Sequence, residues 1–359
     1  IDGTRKELKK TKIDLSDCLA CSGCVTSAES VLVNQHSVEE VLRVLATSFH
    51  YEVKSEEEQE EQTEVDKMNE DDDKRYSVLI VSISPQSIAS IAGYFNCTII
   101  EAERRLHHVF HKFGAYRVFD TTWSRHFSHL EMCHEFDAKF ATIAQQRLSQ
   151  LKSEESAVDV NPRRPKRVKK DTLDNIPMLA SACPGFVCYA EKTFGDFIVP
   201  YIATTKSPQQ IMGSIVKQYF VTVLAQQQMR PVTSADIYHL SVMPCFDKKL
   251  EATRDDFQIE NGVKEVDIVL TSSEIINLLK TQFSVVTRDD FMKLGDNVDT
   301  EASISYKGLD SPLFSFNPSD IFSYGISDMM ESGGYTETLF RFAAKKYFNM
   351  ELPADKPLE

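Results

Sequence analysis

No run of about 18 apolar residues occurs in the 359-residue chain, and the leading Ile1-Asp2-Gly3-Thr4-Arg5-Lys6-Glu7 has no hydrophobic signal core. Neither a membrane-crossing helix nor a secretory leader is expected, which points to a soluble chain of a reducing, intracellular compartment. Cysteine is sparse for a disulfide scaffold: eight residues in a chain of this size do not form the framework that staples small secreted domains. A broad basic surface is missing as well. The formal net charge is −14, and Glu56 to Asp73 alone carries eleven acidic residues and one lysine. That segment accounts for −10, leaving the remainder close to neutral, so nucleic-acid binding is not expected. The nine histidines include no His-Glu-x-x-His pattern. Six of them fall between His107 and His134, scattered over helix faces, and read as surface or packing residues rather than ligands.

What the chain does have is Cys18-Leu19-Ala20-Cys21-Ser22-Gly23-Cys24. C-x2-C-x2-C places three thiolates on one tight loop and is the first part of the bacterial ferredoxin run, whose clusters are held by cysteine sulfur. That run normally continues x3-C-P, but Ala28 and Glu29 stand there, so a fourth ligand has to come from elsewhere. Zinc is the second reading, although structural zinc sites usually draw on separated ligand pairs. Structural or redox thiols are the third. Spacing favours the cluster.

Residues 1–54 read as a small N-terminal cluster domain that includes a helix starting at Ser37. Residues 55–75 form an acidic linker, too polar to offset its chain entropy by burial. The texture changes from Tyr76. Val78–Ile83 is a continuous apolar run of the parallel-strand type, followed by Ser84-Pro85 as N-cap and first helical residue. A helix through 107–112, a strand at 116–120 and a long helix over about 124–151 come next. Residues 152–172 form a polar insertion containing Arg163-Arg164-Pro165-Lys166-Arg167-Val168-Lys169-Lys170, read first as a solvated loop and second as a nuclear-import signal. A strand at 176–180 is expected to deliver Cys183, and Ser207-Pro208 starts another helix. Strands at 237–242 and 266–270 follow, the first delivering Cys245 and the second leading into a helix at 274–280. This alternation predicts an α/β fold, with two lobes of mostly parallel sheet over 76–206 and 207–359. Cys97, Cys133 and Cys188 read as small buried hydrophobes.

Open parallel sheets bind ligands beyond the carboxyl ends of their strands. Cys183, in Ser181-Ala182-Cys183-Pro184-Gly185, and Cys245, in Met243-Pro244-Cys245-Phe246-Asp247-Lys248-Lys249, are both placed there. Lys248 and Lys249 would offset the negative charge of a thiolate-bound group. Either cysteine alone could be an ordinary loop residue; the two at equivalent strand ends point to a shared site between lobes.

Together with Ser207-Pro208-Gln209-Gln210-Ile211-Met212-Gly213 and Ser332-Gly333-Gly334-Tyr335-Thr336-Glu337, these stretches resemble the motifs of the iron-only hydrogenases, in order and over nearly the whole chain. With the leading cysteine loop, the chain is most similar to the hydrogenase-like cytosolic iron–sulfur assembly factors, the nuclear prelamin A recognition factor-like family. The resemblance implies two [4Fe–4S] clusters: one on Cys18, Cys21 and Cys24, and one between the lobes on Cys183 and Cys245. It also implies a late role in cytosolic iron–sulfur assembly, with a WD40-propeller targeting complex and its adaptors as partners and apoproteins as clients. The expected compartment is the cytoplasm, with the nucleus as a second site. The family draws a fourth N-terminal ligand from upstream of this chain's Cys18. Its remaining inter-lobe ligands come from a C-terminal C-x3-C and Gly-Gly-Gly stretch, so the chain is expected to be truncated at both ends. Two alternatives remain at this level. An iron-only hydrogenase is disfavoured because Ala182 stands where that family's proton-shuttling cysteine would precede Cys183-Pro184-Gly185. A lamin- or chromatin-associated binding protein would rest on the basic run alone.

Overall fold

The computed structural model describes residues 33–51, 76–155, 177–228, 231–259, 262–295 and 334–352. In chain order these form α1 (Val38–Phe49), β1 (Val78–Ile83), α2 (Pro85–Phe95), α3 (Ile99–Lys112), β2 (Ala115–Asp120), α4 (Thr122–Glu155), α5 (Pro184–Phe194) and α6 (Pro208–Ser214). A π-helical stretch over Ile215–Phe220 carries α6 into α7 (Val221–Gln228). Then come β3 (Ile237–Met243), α8 (Asp247–Thr253), β4 (Ile268–Thr271), α9 (Ser272–Phe283), α10 (Arg288–Lys293) and α11 (Tyr335–Phe348).

The helix starts follow local chemistry. Ser84, Thr98 and Thr271 each accept the amide three residues on, and Thr98–Glu101 and Thr271–Glu274 are reciprocal capping boxes. Pro85, Pro184 and Pro208 stand in the first turn, where a missing amide hydrogen costs nothing.

The four strands form one wholly parallel sheet in the order β2-β1-β3-β4. Alternation of side chains divides its two faces. Leu79, Val81, Ile83, Leu240, Val242, Ile268 and Leu270 belong to the larger core beneath α1, α2, α3, α9 and α10. Val78, Ile80 and Ile237 turn the other way, against Met212, Val216, Phe220 and Leu224 of the α6–α7 rod.

Three features differ from the sequence expectation. The sheet joins strands from both sides of residue 206, so the expected lobe boundary at 206/207 falls between pairing partners: periodicity marks a strand but says nothing about its neighbour. The strand expected at 176–180 is a single parallel bridge, Leu179 to Ile202, closed by hydrogen bonds of 2.8 Å from Leu179 N to Tyr201 O and from Ala203 N to Leu179 O. And α1, expected in a separate N-terminal unit, contributes Val38, Val41, Val44 and Leu45 to the main core. Just ahead of it, buried His36 accepts the Val269 amide on Nδ1 at 2.9 Å, which ties this segment to β4.

Candidate metal centre at the carboxyl edge of the sheet

In the order β2-β1-β3-β4, the crossover from β1 runs to one side and that from β3 to the other. The chain therefore switches direction between β1 and β3, the place where open α/β sheets hold ligands. Ser84 N reaches across to Val242 O at 3.0 Å at this edge, and Cys245 follows two residues after β3 ends.

Cys245 is half-buried. Burial first, and then the Asp247 carboxylate, push its thiol up; the backbone amides of Lys248 and Asp247 and the Lys248 ammonium pull it back. N–H groups aimed at sulfur are what a thiolate ligand needs. Cys183 is exposed and caps α5 with no side-chain hydrogen bond of its own, its amide donating to Ser181 Oγ at 3.1 Å. The two cysteines lead into helices that pack on each other: α5 lies against α8. Arg254, just past α8, clips Glu191 of α5 with two bonds of 2.8 and 3.1 Å. Cys183 precedes Glu191 by eight residues and Cys245 precedes Arg254 by nine, so the clip lies at a similar distance along both helices from their cysteines.

The other described cysteines have a different character. Cys133 is buried without a charged partner and its thiol is pushed up to about 12, the environment of an inert packing residue. Cys188 is buried within α5, and Cys97 packs against the main core. Cys18, Cys21 and Cys24 lie outside the described residues.

Lys248 and Lys249 are both committed inside the fold. The Lys248 ammonium bonds Glu251 at 2.8 Å and Ser207 Oγ at 3.1 Å. Lys249 turns the other way, to His36 O and to Glu274, each at 2.6 Å. Of the pair, Lys248 is the ammonium that acts on Cys245, while Lys249 fastens the segment before α1 to α9.

Sequence reasoning did not single out the polar side chains that complete this edge. Ser207 donates to Glu251, and Gln209 Nε2 donates to Lys248 O at 3.0 Å, which joins the start of α6 to α8. Gln209 and Gln210 are almost wholly buried, yet Gln209 Oε1 and both amide atoms of Gln210 have no partner among the described residues. Such atoms are costly unless a polar occupant or water meets them. The Ser-Pro-Gln-Gln stretch was the one available signal. Gly213 lets α6 approach the 265 backbone: a Cβ there would stand 2.8 Å from Glu265 O. Glu265 in turn accepts from Ser214 Oγ at 2.8 Å and from Lys206.

As a donor set, a thiol with amides directed at it and an ammonium acting on it has the chemistry that a thiolate-held iron–sulfur cluster draws on. Among the described residues, no group of three or more His, Cys, Asp or Glu could hold a metal ion alone.

Comparison with known proteins places the chain in a family. The chain is 39% identical over 352 residues to the cytosolic iron-sulfur assembly component 3 of Mus musculus, and 38% identical over 356 residues to the cytosolic Fe-S cluster assembly factor narfl of Xenopus tropicalis. Each alignment covers 98% of this chain and 59% of the relative, so the chain spans about three fifths of the proteins it matches. Among solved structures, an [FeFe]-hydrogenase matches with a TM-score of 0.57 at 22% identity, covering 88% of this chain and 59% of that one. A HydA1 variant from Chlamydomonas reinhardtii also gives 0.57, at 21% identity over 89% of this chain and 61% of the enzyme's. Both share the fold. Residues 77–357 match the model of the iron-only hydrogenase large subunit, C-terminal domain, and the chain belongs to that family.

Proposed function

We propose that this chain is an iron–sulfur cluster-carrying component of the cytosolic iron–sulfur assembly machinery, and that it evolves no hydrogen. The observation that supports this most is the pairing of α5 with α8, two helices led by Cys183 and Cys245 and clipped together by Glu191 and Arg254. Cys183 and Cys245 would give two ligands to one [4Fe–4S] cluster, and Cys18, Cys21 and Cys24 three to another. The Lys248 ammonium would offset part of the negative charge of the first. The relatives named above are called assembly components and factors, not hydrogenases, and Ala182 beside Cys183 offers no exchangeable proton. The partners that follow are a WD40-propeller targeting complex with its adaptors, and cytosolic and nuclear apoproteins as clients.

The test is made on the full-length protein of the same source, purified without oxygen, with iron and acid-labile sulfide counted. Cys245→Ala and Cys18→Ala should each lower both counts while the lobe stays folded. Wild-type iron in both variants would defeat the ligand assignment. Zinc without sulfide would install the other metal, and hydrogen evolution from reduced protein would restore the enzyme.

A further inference from the structure

At the opposite end of the sheet, α3 carries His107 and His111 four residues apart, on one face and half-buried. Their Nε2 atoms face each other at 3.1 Å and their rings lie 4.3 Å apart, edge to face. That separation fits a hydrogen bond, and it also fits the bite of a metal chelate. Imidazole–metal bonds of roughly 2.0–2.1 Å, opened by about 90° to 110° at the ion, hold two nitrogens about 2.9 to 3.4 Å apart. The helix thus presents the two rings at the bite of a cis chelate. Only one of them can donate to the other; moving that proton to Nδ1 leaves a lone pair on each Nε2 at no net proton cost.

We propose that His107 and His111 form a two-imidazole site for a divalent ion of the nickel–copper–zinc class, distinct from the cysteine ligands. Imidazole selects this class, and iron(II) ranks below it in affinity. His111 stands in the last turn of α3, where the helix dipole favours positive charge. Arg105 and Lys112 flank the pair and oppose a cation, which limits its affinity. Among the described residues no group of three His, Cys, Asp or Glu could hold a metal ion, so water would complete the shell. β2 begins three residues after α3 ends, which sets the pair at the amino end of the strands, while Cys245 lies beyond their carboxyl end. The two sites are a strand length apart, roughly 20 Å for six residues.

Ni2+ titrated calorimetrically into the full chain tests this, alongside His107→Gln, His111→Gln and the neighbouring His108→Gln. Wild type and His108→Gln should each bind one equivalent more than either pair variant. Equal binding by all four, or loss in only one pair variant, overturns the chelate. Because thiols also take Ni2+, a second readout uses the wild-type chain alone: Ni2+ should shield both His107 and His111 from diethyl pyrocarbonate, mapped by mass spectrometry. Unchanged modification at either residue refutes the site.

Discussion

Glu251 is 5% exposed and accepts from two groups at once: the Lys248 ammonium at 2.8 Å and the Ser207 hydroxyl. A third donor, Gln209 Nε2, lies at 3.4 Å but has Lys248 O as its better partner. Glu251→Ala removes the carboxylate paired with Lys248, itself 9% exposed. Breaking a buried pair by deleting one member costs about 3–5 kcal/mol, because the surviving charge is left without compensation. The orphaned Ser207 hydroxyl belongs to that figure rather than adding to it. Glu251→Gln also removes the counter-charge but keeps the volume and a carbonyl oxygen for the Lys248 ammonium, so it should cost less than Glu251→Ala, about 1.5–3 kcal/mol.

Urea denaturation of the full chain, read by circular dichroism, measures both variants, and a cycle with Lys248→Met isolates the pairwise term. A coupling of about 2 kcal/mol is expected for groups in direct contact within a network. If Glu251→Ala costs under about 1 kcal/mol, or no more than Glu251→Gln, the ammonium reaches water and the pair is a surface bridge in effect. The same pair joins the start of α6 to α8, so Glu251→Ala should also lower iron at the Cys245 site in the full-length protein. Glu251→Gln should retain it.

Stability should fall in mild acid. Burial, and then nearby lysines, hold His36 at about 3 and His239 at about 4, below the ordinary value near 6.5. Unfolded chain therefore takes up protons first as pH drops below 6.5, and the stability present at neutral pH is lost on the way to 4, by about 3 kcal/mol for His239. A urea midpoint unchanged between pH 7.5 and 5 would contradict this. Gly213→Ala should destabilise by about 1–3 kcal/mol, since its Cβ would meet Glu265 Cβ at 2.8 Å; equilibrium unfolding decides, and a neutral result would mean α6 can lift from Glu265. Arg254→Ala should cost under about 1 kcal/mol of stability, because the clip with Glu191 is partly exposed, yet should reduce iron held through Cys183 and Cys245 in the full-length protein. Unaltered iron would show that α5 and α8 keep their places without it.

Much of the lobe was legible because its signals are local. β1, its Ser84-Pro85 cap, β2, β3 and the Ser207-Pro208 helix start all stand where apolar runs and turn chemistry put them. What could not be read is pairing across the chain. Which strand lies beside which depends on crossovers spanning from about twenty-five to over a hundred residues, and no periodicity encodes them. Buried charge was hidden for the same reason. Lys217 interrupts an apolar stretch as if to reach solvent, yet is fully buried, 2.7 Å from Asp267 and 2.5 Å from Ile237 O. Asp267 itself accepts the His239 amide at 2.7 Å. Lys248 and Lys249 read as charge to offset a thiolate-bound group, yet both are buried in ion pairs within the fold.

These buried ions also explain how one short edge is held firm. A thiol with amides directed at it gains nothing from a mobile backbone, because each misplaced donor weakens its hold on sulfur. Cys245 escapes this because the residues just after it are fixed twice over: Lys248 to Ser207 and Glu251 on one side, Lys249 to His36 and Glu274 on the other. The two adjacent lysines diverge, one toward α6 and one toward α9, and so act as guy-lines on α8. Cys183 has a looser setting, exposed at its helix start and held from a distance by Glu191 and Arg254. If the two thiols share one cluster, loss of the Cys245 ligand should empty it more completely than loss of Cys183. Iron counts on Cys183→Ala and Cys245→Ala in the full-length protein measure that difference. The reverse order would mean that rigidity at α8 serves folding alone.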